Sequence, residues 1–275
     1  MSGALSAKST IAFTALALIC GDGVASEHTA WTDVDGAKVR LIVETPLAAA
    51  NGALPAQIRG AIQIDLAPGW HTYWLEPGPS GIPPQISLTA DSGVEGAEIA
   101  FPKPTWLDNQ YGDYAGYSEP VDLPVTFTLR DRESPVLSGQ VFLGVCEAIC
   151  IPVIIPLDMT LKPGTRSTPE DILVAGAFSA IPRSPGPGEG FVLEAQPDGG
   201  FLVTVEHSPL ADATPRQLFA AMPGSQLGRP QVEVQSATRT VFRVAVYSGT
   251  ASAAPVTLVF DAGGDAFQAN ATPEG

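Results

Sequence analysis

Cys146 and Cys150 lie in the run Gly144-Val145-Cys146-Glu147-Ala148-Ile149-Cys150-Ile151-Pro152, and the third cysteine of the chain, Cys20, lies far away in an apolar N-terminal stretch. An isolated close pair of thiols has three chemical uses. It can be a short structural staple, a redox couple that exchanges with other disulfides, or a soft-metal site, because two thiolates suit Cu(I). Strand alternation puts Phe142, Gly144 and Cys146 on one face of an incoming strand. Cys150, Pro152 and Ile154 then share one face of the outgoing strand. Glu147-Ala148-Ile149 becomes the loop of a hairpin, and the two sulfurs face each other within bridging reach. The ring closed by such a bridge is tiny. On the chain-entropy model its closure contributes about 2 kcal/mol, against roughly 4 to 5 for a long loop. So weak a staple is readily traded for another redox state, which favours redox work.

The sequence around the pair qualifies that chemistry. No Lys, Arg or His stands beside it, and Glu147 opposes thiolate formation by charge repulsion. A pair of this kind is a slow non-specific nucleophile, yet its oxidised form remains open to a partner's thiolate. The expectation is exchange within docked complexes, with Val145, Ile149 and Ile151 supplying an apolar docking patch.

The elements that must carry the pair are strands. With 28 Gly, 26 Pro and few charges, the composition is that of an all-β protein rich in turns. Alternating or β-branched runs recur over 38–45, 57–66, 70–75, 85–89, 98–101, 121–129, 138–145 and 151–161. Short strands with this punctuation predict an immunoglobulin-like β-sandwich over 27–164. Residues 165–190 read as a short helix and linker: Thr168 is the N-cap, Pro169 the first helical residue and Asp171 the capping-box acid, with the helix ending before Pro182. A second, smaller β-sandwich domain is expected over 191–275, starting with a hairpin around Pro197-Asp198-Gly199-Gly200. It holds no cysteine and no catalytic cluster, and reads as a packing or docking module.

The N-terminus, 1–26, reads as a cleavable export signal: Lys8, an apolar run from Ile11 to Cys20, and small residues at Val24-Ala25-Ser26. Losing Cys20 leaves an even cysteine count, as suits an oxidising compartment. The chain has 14 basic and 29 acidic residues and a net charge of −15, a surface that repels phosphate backbones and argues against nucleic-acid binding.

Across 39–161 the sequence resembles the N-terminal domain of the DsbD family of thiol:disulfide interchange proteins, including its ScsB-like relatives in suppressor-of-copper-sensitivity systems. The resemblance is carried by Pro68-Gly69-Trp70-His71-Thr72-Tyr73-Trp74, Gly81-Ile82-Pro83-Pro84 and Phe101-Pro102-Lys103-Pro104. It continues through Asp108-Asn109-Gln110-Tyr111-Gly112, Leu123-Pro124-Val125 and the cysteine run itself. It implies an immunoglobulin-like fold whose Cys146 and Cys150 take electrons from a membrane-embedded thiol–disulfide transporter. They would deliver them to periplasmic thioredoxin-like oxidoreductases, with no cofactor. It also implies that His71 and Tyr73 line the site and that a cap loop over Asp108, Gln110 and Tyr111 shields it. The cysteine spacing is shorter here than in the best-known members. Gln110 replaces the expected bulky cap aromatic, which leaves the shielding to Tyr111, Tyr114 or Tyr117. Two other readings stay open: a Cu(I)-binding protein using Cys146, Cys150 and His71, and a non-enzymatic β-sandwich adaptor.

Overall fold

The computed structural model describes residues 28–47, 52–76, 81–109, 112–164, 168–249 and 254–273. The export signal expected over 1–26 therefore lies outside the described residues, as do Gln110 and Tyr111.

The first half of the chain supplies β1 (Thr32–Val34), β2 (Ala37–Val43), β3 (Gln57–Leu66), β4 (His71–Tyr73), β5 (Gln85–Leu88) and β6 (Val94–Ile99). It continues with β7 (Thr105–Asn109), β8 (Gly112–Tyr117), β9 (Val121–Leu129), β10 (Val136–Cys146) and β11 (Cys150–Thr160). One sheet has the order β1-β2-β3-β9-β6; the other has β11-β10-β4-β8-β7, with β5 also pairing with β10. Period-2 alternation turns Val39, Leu41, Ile62, Ile64, Val125 and Phe127 of the first sheet toward Val141, Leu143, Val153 and Ile155 of the second, and these form one core. This is the immunoglobulin-like sandwich expected from the sequence. In β11 the alternation is strict: Val153, Ile155, Leu157 and Met159 are buried, while Pro152, Ile154, Pro156 and Asp158 are exposed. The strand is a sheet edge, where Pro152 and Pro156 remove N–H groups from an otherwise open ladder.

Helix α1 (Pro169–Ser179) begins as its sequence predicts. Thr168 and Asp171 form a reciprocal capping box, and the Asp171 carboxylate also accepts a 2.8 Å bond from the Thr45 backbone N–H. Val174 and Ala177 pack onto Ile42 and Ala61, the outer face of the first sheet.

The further β domain contains β12 (Gly190–Ala195), β13 (Phe201–Glu206), β14 (Gln217–Ala221), β15 (Gln226–Leu227) and β16 (Gln231–Gln235). They are followed by β17 (Arg239–Val244), β18 (Val246–Ser248), β19 (Val256–Asp261) and β20 (Ala266–Ala271). They form sheets of four, three and two strands around Phe201, Val203, Phe242, Leu258 and Phe260. The hairpin around Pro197–Gly200 forms as expected, with Gly199 at φ 85° in its turn. Strands β14, β15 and β20 go beyond the sequence reading. Gln217–Ala221 is rich in Ala and Leu, which favour a helix locally, and becomes a strand only because β19 pairs with it.

Two departures matter for the cysteine pair. The run expected over 70–75 contracts to His71–Tyr73, because Trp70 turns away to lie on Gly36. Gly36 has φ +78°, and a Cβ there would sit 1.8 Å from the Trp70 ring. On either side of Gln110 and Tyr111, the segment expected as a cap loop runs into the paired strands β7 and β8. It is attached to the sandwich through β4, where Gly116 lies opposite Tyr73. A Cβ on Gly116 would fall 2.4 Å from the Thr72 carbonyl oxygen, so the two backbones approach as closely as only glycine permits. Gly116→Ala is expected to push β8 off β4 and lower stability by about 1–3 kcal/mol in urea unfolding, a typical overpacking cost.

Candidate functional site

The site is organised by three adjacent strands. Cys146, the last residue of β10, is paired on one side with Cys150 of β11 and on the other with His71 of β4. The Glu147 N–H donates to the Ile149 carbonyl at 3.3 Å and closes the three-residue turn. The two cysteines are joined in a disulfide with their Cα atoms 4.1 Å apart. Cys146 is only 2% exposed, whereas Cys150, on the edge strand, is partly open to solvent. Behind the pair, the buried Thr72 hydroxyl donates to the Gly144 carbonyl at 2.8 Å and pins β4 to β10. Gly144 has no side chain because Ile82 occupies that space: a Cβ on Gly144 would lie 2.8 Å from the Ile82 Cβ.

Aromatic rings surround the sulfurs. The Tyr73 hydroxyl lies 3.2 Å from Cys150 Sγ and 3.3 Å from Cys146 Sγ, between the two. Tyr114 of β8 packs against Tyr73 at a 5.3 Å centroid separation and against His71 at 5.2 Å; His71 meets Tyr73 edge-on at 5.7 Å. Tyr73, Tyr114 and Cys146 form a small buried cluster of their own, flanked by Leu107 and Cys150. The electrostatics are those of a partly desolvated pocket. Burial raises the Tyr73 phenol above its ordinary value. Burial, reinforced by repulsion from Tyr73 and Asp108, pushes Tyr114 up to about 12. Burial lowers His71 below 6.5. At neutral pH the lining is therefore uncharged, with both phenols protonated and able to donate.

Of the residues singled out from the sequence, Cys146, Cys150, His71 and Tyr73 come together. Glu147 is exposed at the hairpin tip, its carboxylate beside the Gly69 turn. Asp108 is exposed on β7, opposite Asp113. The expected docking patch needs correction: Val145 is fully buried in the sandwich core, because its position alternates to the face opposite the cysteines. Ile151 packs partly on that core, and only Ile149, 75% exposed, projects from the hairpin. Among the three tyrosines weighed as shields, Tyr114 contacts the cluster, whereas the Tyr117 hydroxyl turns into the interior to bond the Pro102 carbonyl at 2.7 Å. Leu107 was not anticipated. Its only sequence signal is the alternation of Trp106, Leu107 and Asp108. Among the described residues, no three His, Cys, Asp or Glu side chains converge on a common point.

Comparison with known proteins bears on this geometry. Residues 39–161 match the family described as thiol:disulfide interchange protein DsbD, N-terminal. The chain is similar in structure to the crystal structure of the N-terminal periplasmic domain of ScsB from Proteus mirabilis. The TM-score is 0.72 at 20% identity, covering 90% of this chain and 99% of that one. At that identity the likeness establishes the fold, and it extends through the further β domain. A marsupial T cell receptor aligns at a TM-score of 0.23 and 9% identity over 89% of this chain and 100% of that one, too distant to carry an argument. No curated protein sequence matches the chain.

The depressed His71 value sets a pH dependence. Between its folded and unfolded pKa values the unfolded chain binds the extra proton, so stability rises with pH there. This contribution is complete above about 6.5 and is lost as pH falls through that value. The urea midpoint is expected to drop from pH 7.5 to pH 5.5, and His71→Gln should reduce that drop.

Proposed function

Taking residues 39–161 as a domain of the DsbD N-terminal family, we propose that this protein is a periplasmic thiol–disulfide interchange component. Its Cys146–Cys150 pair accepts two electrons from a membrane-embedded thiol–disulfide transporter and passes them to thioredoxin-like oxidoreductases. These serve cytochrome c maturation, disulfide isomerisation or copper tolerance. The periplasmic location is supported by the export signal read over 1–26 and by the likeness to a domain described as periplasmic.

The observation that carries the reading is the asymmetry of the pair: Cys146 is buried and Cys150 is partly open, with the Tyr73 hydroxyl within reach of both sulfurs. A donor thiolate attacks Cys150 Sγ. The intramolecular S–S bond breaks and its electron pair passes to Cys146 Sγ, which takes up a proton. The donor's second thiolate then attacks its own sulfur in the mixed disulfide and releases Cys150 as a thiol. The donor has become a disulfide and the pair two thiols, so two electrons and two protons have moved. Delivery reverses the roles, with Cys150 attacking the client disulfide and Cys146 resolving the intermediate. Tyr73 keeps its proton because burial raises its pKa, and its hydroxyl donates to the departing Cys146 thiolate. The rings of His71 and Tyr114 and the Leu107 side chain restrict access to sulfurs presented by a docked partner.

The deciding measurement is the reduction potential of the pair, by equilibration against glutathione or dithiothreitol buffers. A value above roughly −300 mV is expected; one well below it identifies an inert structural bridge and overturns the proposal. Cys146→Ser is expected to leave Cys150 free to form a trapped mixed disulfide with thioredoxin-like partners, while Cys150→Ser should trap little, since Cys146 is buried. Tyr73→Phe should slow reduction by a small dithiol about ten-fold, the loss of one hydrogen bond to a developing charge.

A further inference from the structure

Strands β7 and β8 have two faces, and each does different work. Leu107 and Tyr114, directly opposite one another, turn toward Cys146, Cys150 and Tyr73. The neighbouring pair, Trp106 and Ala115, alternates to the other face and joins a core that includes Phe219, Ala221 and Val259 of the further β domain. The Trp106 ring stacks on Phe219 at 5.2 Å with 14° between the planes. Phe219 is 1% exposed and also meets Trp74 edge-on. The Arg229 guanidinium lies 5.3 Å from the Trp106 ring centroid, and from there it reaches Asp113 of β8 at 3.1 Å. Just before β7, Lys103 binds Asp261 at 2.8 Å. The further domain thus holds the hairpin at its approach and near the starts of β7 and β8. The grips at Trp106 and Asp113 fall on the strands whose opposite face packs against the cysteine cluster.

We propose that the further β domain is a positioning element of the redox site. Phe219 and Arg229 hold the outer face of the β7–β8 hairpin, and so keep Leu107 and Tyr114 over the Cys146–Cys150 bridge. The proposal rests on the redox reading above. Phe219 and Arg229 touch no reacting atom; they act through Trp106 and Asp113. Loosening them exposes the sulfurs to small thiols and relaxes the requirement for a docked partner.

The test uses the full chain. Arg229 is partly exposed and outside both hydrophobic cores, so Arg229→Glu leaves the folded domains intact while replacing attraction to Asp113 by repulsion. Reduction of the bridge by dithiothreitol is expected to accelerate roughly five-fold, as befits loss of an exposed ion pair and a cation–π contact. Backbone hydrogen exchange over 105–109 and 112–117 should rise with it. The equilibrium reduction potential should hold, because access changes and the end states do not. Combining Arg229→Glu with Asp113→Lys should bring the rate part of the way back toward wild type, since the swap restores the ion pair but not the cation–π contact, a rescue that a general loss of stability would not produce. Wild-type reduction and exchange rates in Arg229→Glu overturn the proposal while leaving the redox reading standing. A wild-type bridge that dithiothreitol fails to reduce overturns the redox reading, and hydrogen exchange in Arg229→Glu then decides the grip by itself.

Discussion

Strand β10 is paired on both sides at its last residue, and the site depends on that double pairing. Cys146 lies between Cys150 on β11 and His71 on β4, so a single register brings together the two sulfurs and the strand that supplies Tyr73. Because side chains alternate, a slip of one residue in either pairing would carry the cysteines or the aromatic residues to the opposite face. Slippage is opposed by the buried alternation of β11, whose Val153, Ile155 and Leu157 must face the core. It is also opposed by the Thr72 hydroxyl bond to the Gly144 carbonyl. The site is held less by the disulfide, whose short loop contributes little, than by the sandwich beneath it.

The same alternation explains how a reactive pair is kept quiet. The aromatic rings around it carry no formal charge at neutral pH: burial lowers the His71 pKa and keeps both tyrosines protonated. Uncharged, partly desolvated rings offer a free thiolate no positive charge. The Tyr73 hydroxyl makes a polar contact with both sulfurs, and it favours whichever of them carries developing charge. Access differs between the two sulfurs: one is buried, the other lies at an edge, and the aromatic wall beside them comes from β4 and the neighbouring hairpin.

That hairpin links the two domains. One face belongs to the redox pair and the other to an interdomain core centred on Trp106 and Phe219. A polar margin, Arg229 with Asp113 and Lys103 with Asp261, frames the apolar contact. The further β domain thereby meets the back of the hairpin whose other face packs against the cysteines.

Much of this protein was legible in the residues themselves, and the parts that were share a short range. The alternation in β2, β3, β10 and β11, the Cys146–Cys150 hairpin and the Thr168–Asp171 capping box each depend on neighbours a few positions apart. So do the Gly199 turn and the motifs that linked residues 39–161 to their family. The tertiary structure decided what depends on distant partners. Gln217–Ala221 is a strand because β19 lies beside it, against its local preference. Val145, apolar and next to a cysteine, is core because of its parity. Asp108, Asn109 and Gly112, at the ends of the expected cap loop, belong to the ladder of β7 and β8, which β4 extends. Among Tyr111, Tyr114 and Tyr117 the sequence offered no means of choosing. Tyr114 reaches the sulfurs because it stands opposite Leu107 on the inward face, and Tyr117 does not because its hydroxyl is satisfied inside. Local periodicity determines which residues can share a face; only the packing of whole sheets determines what that face meets.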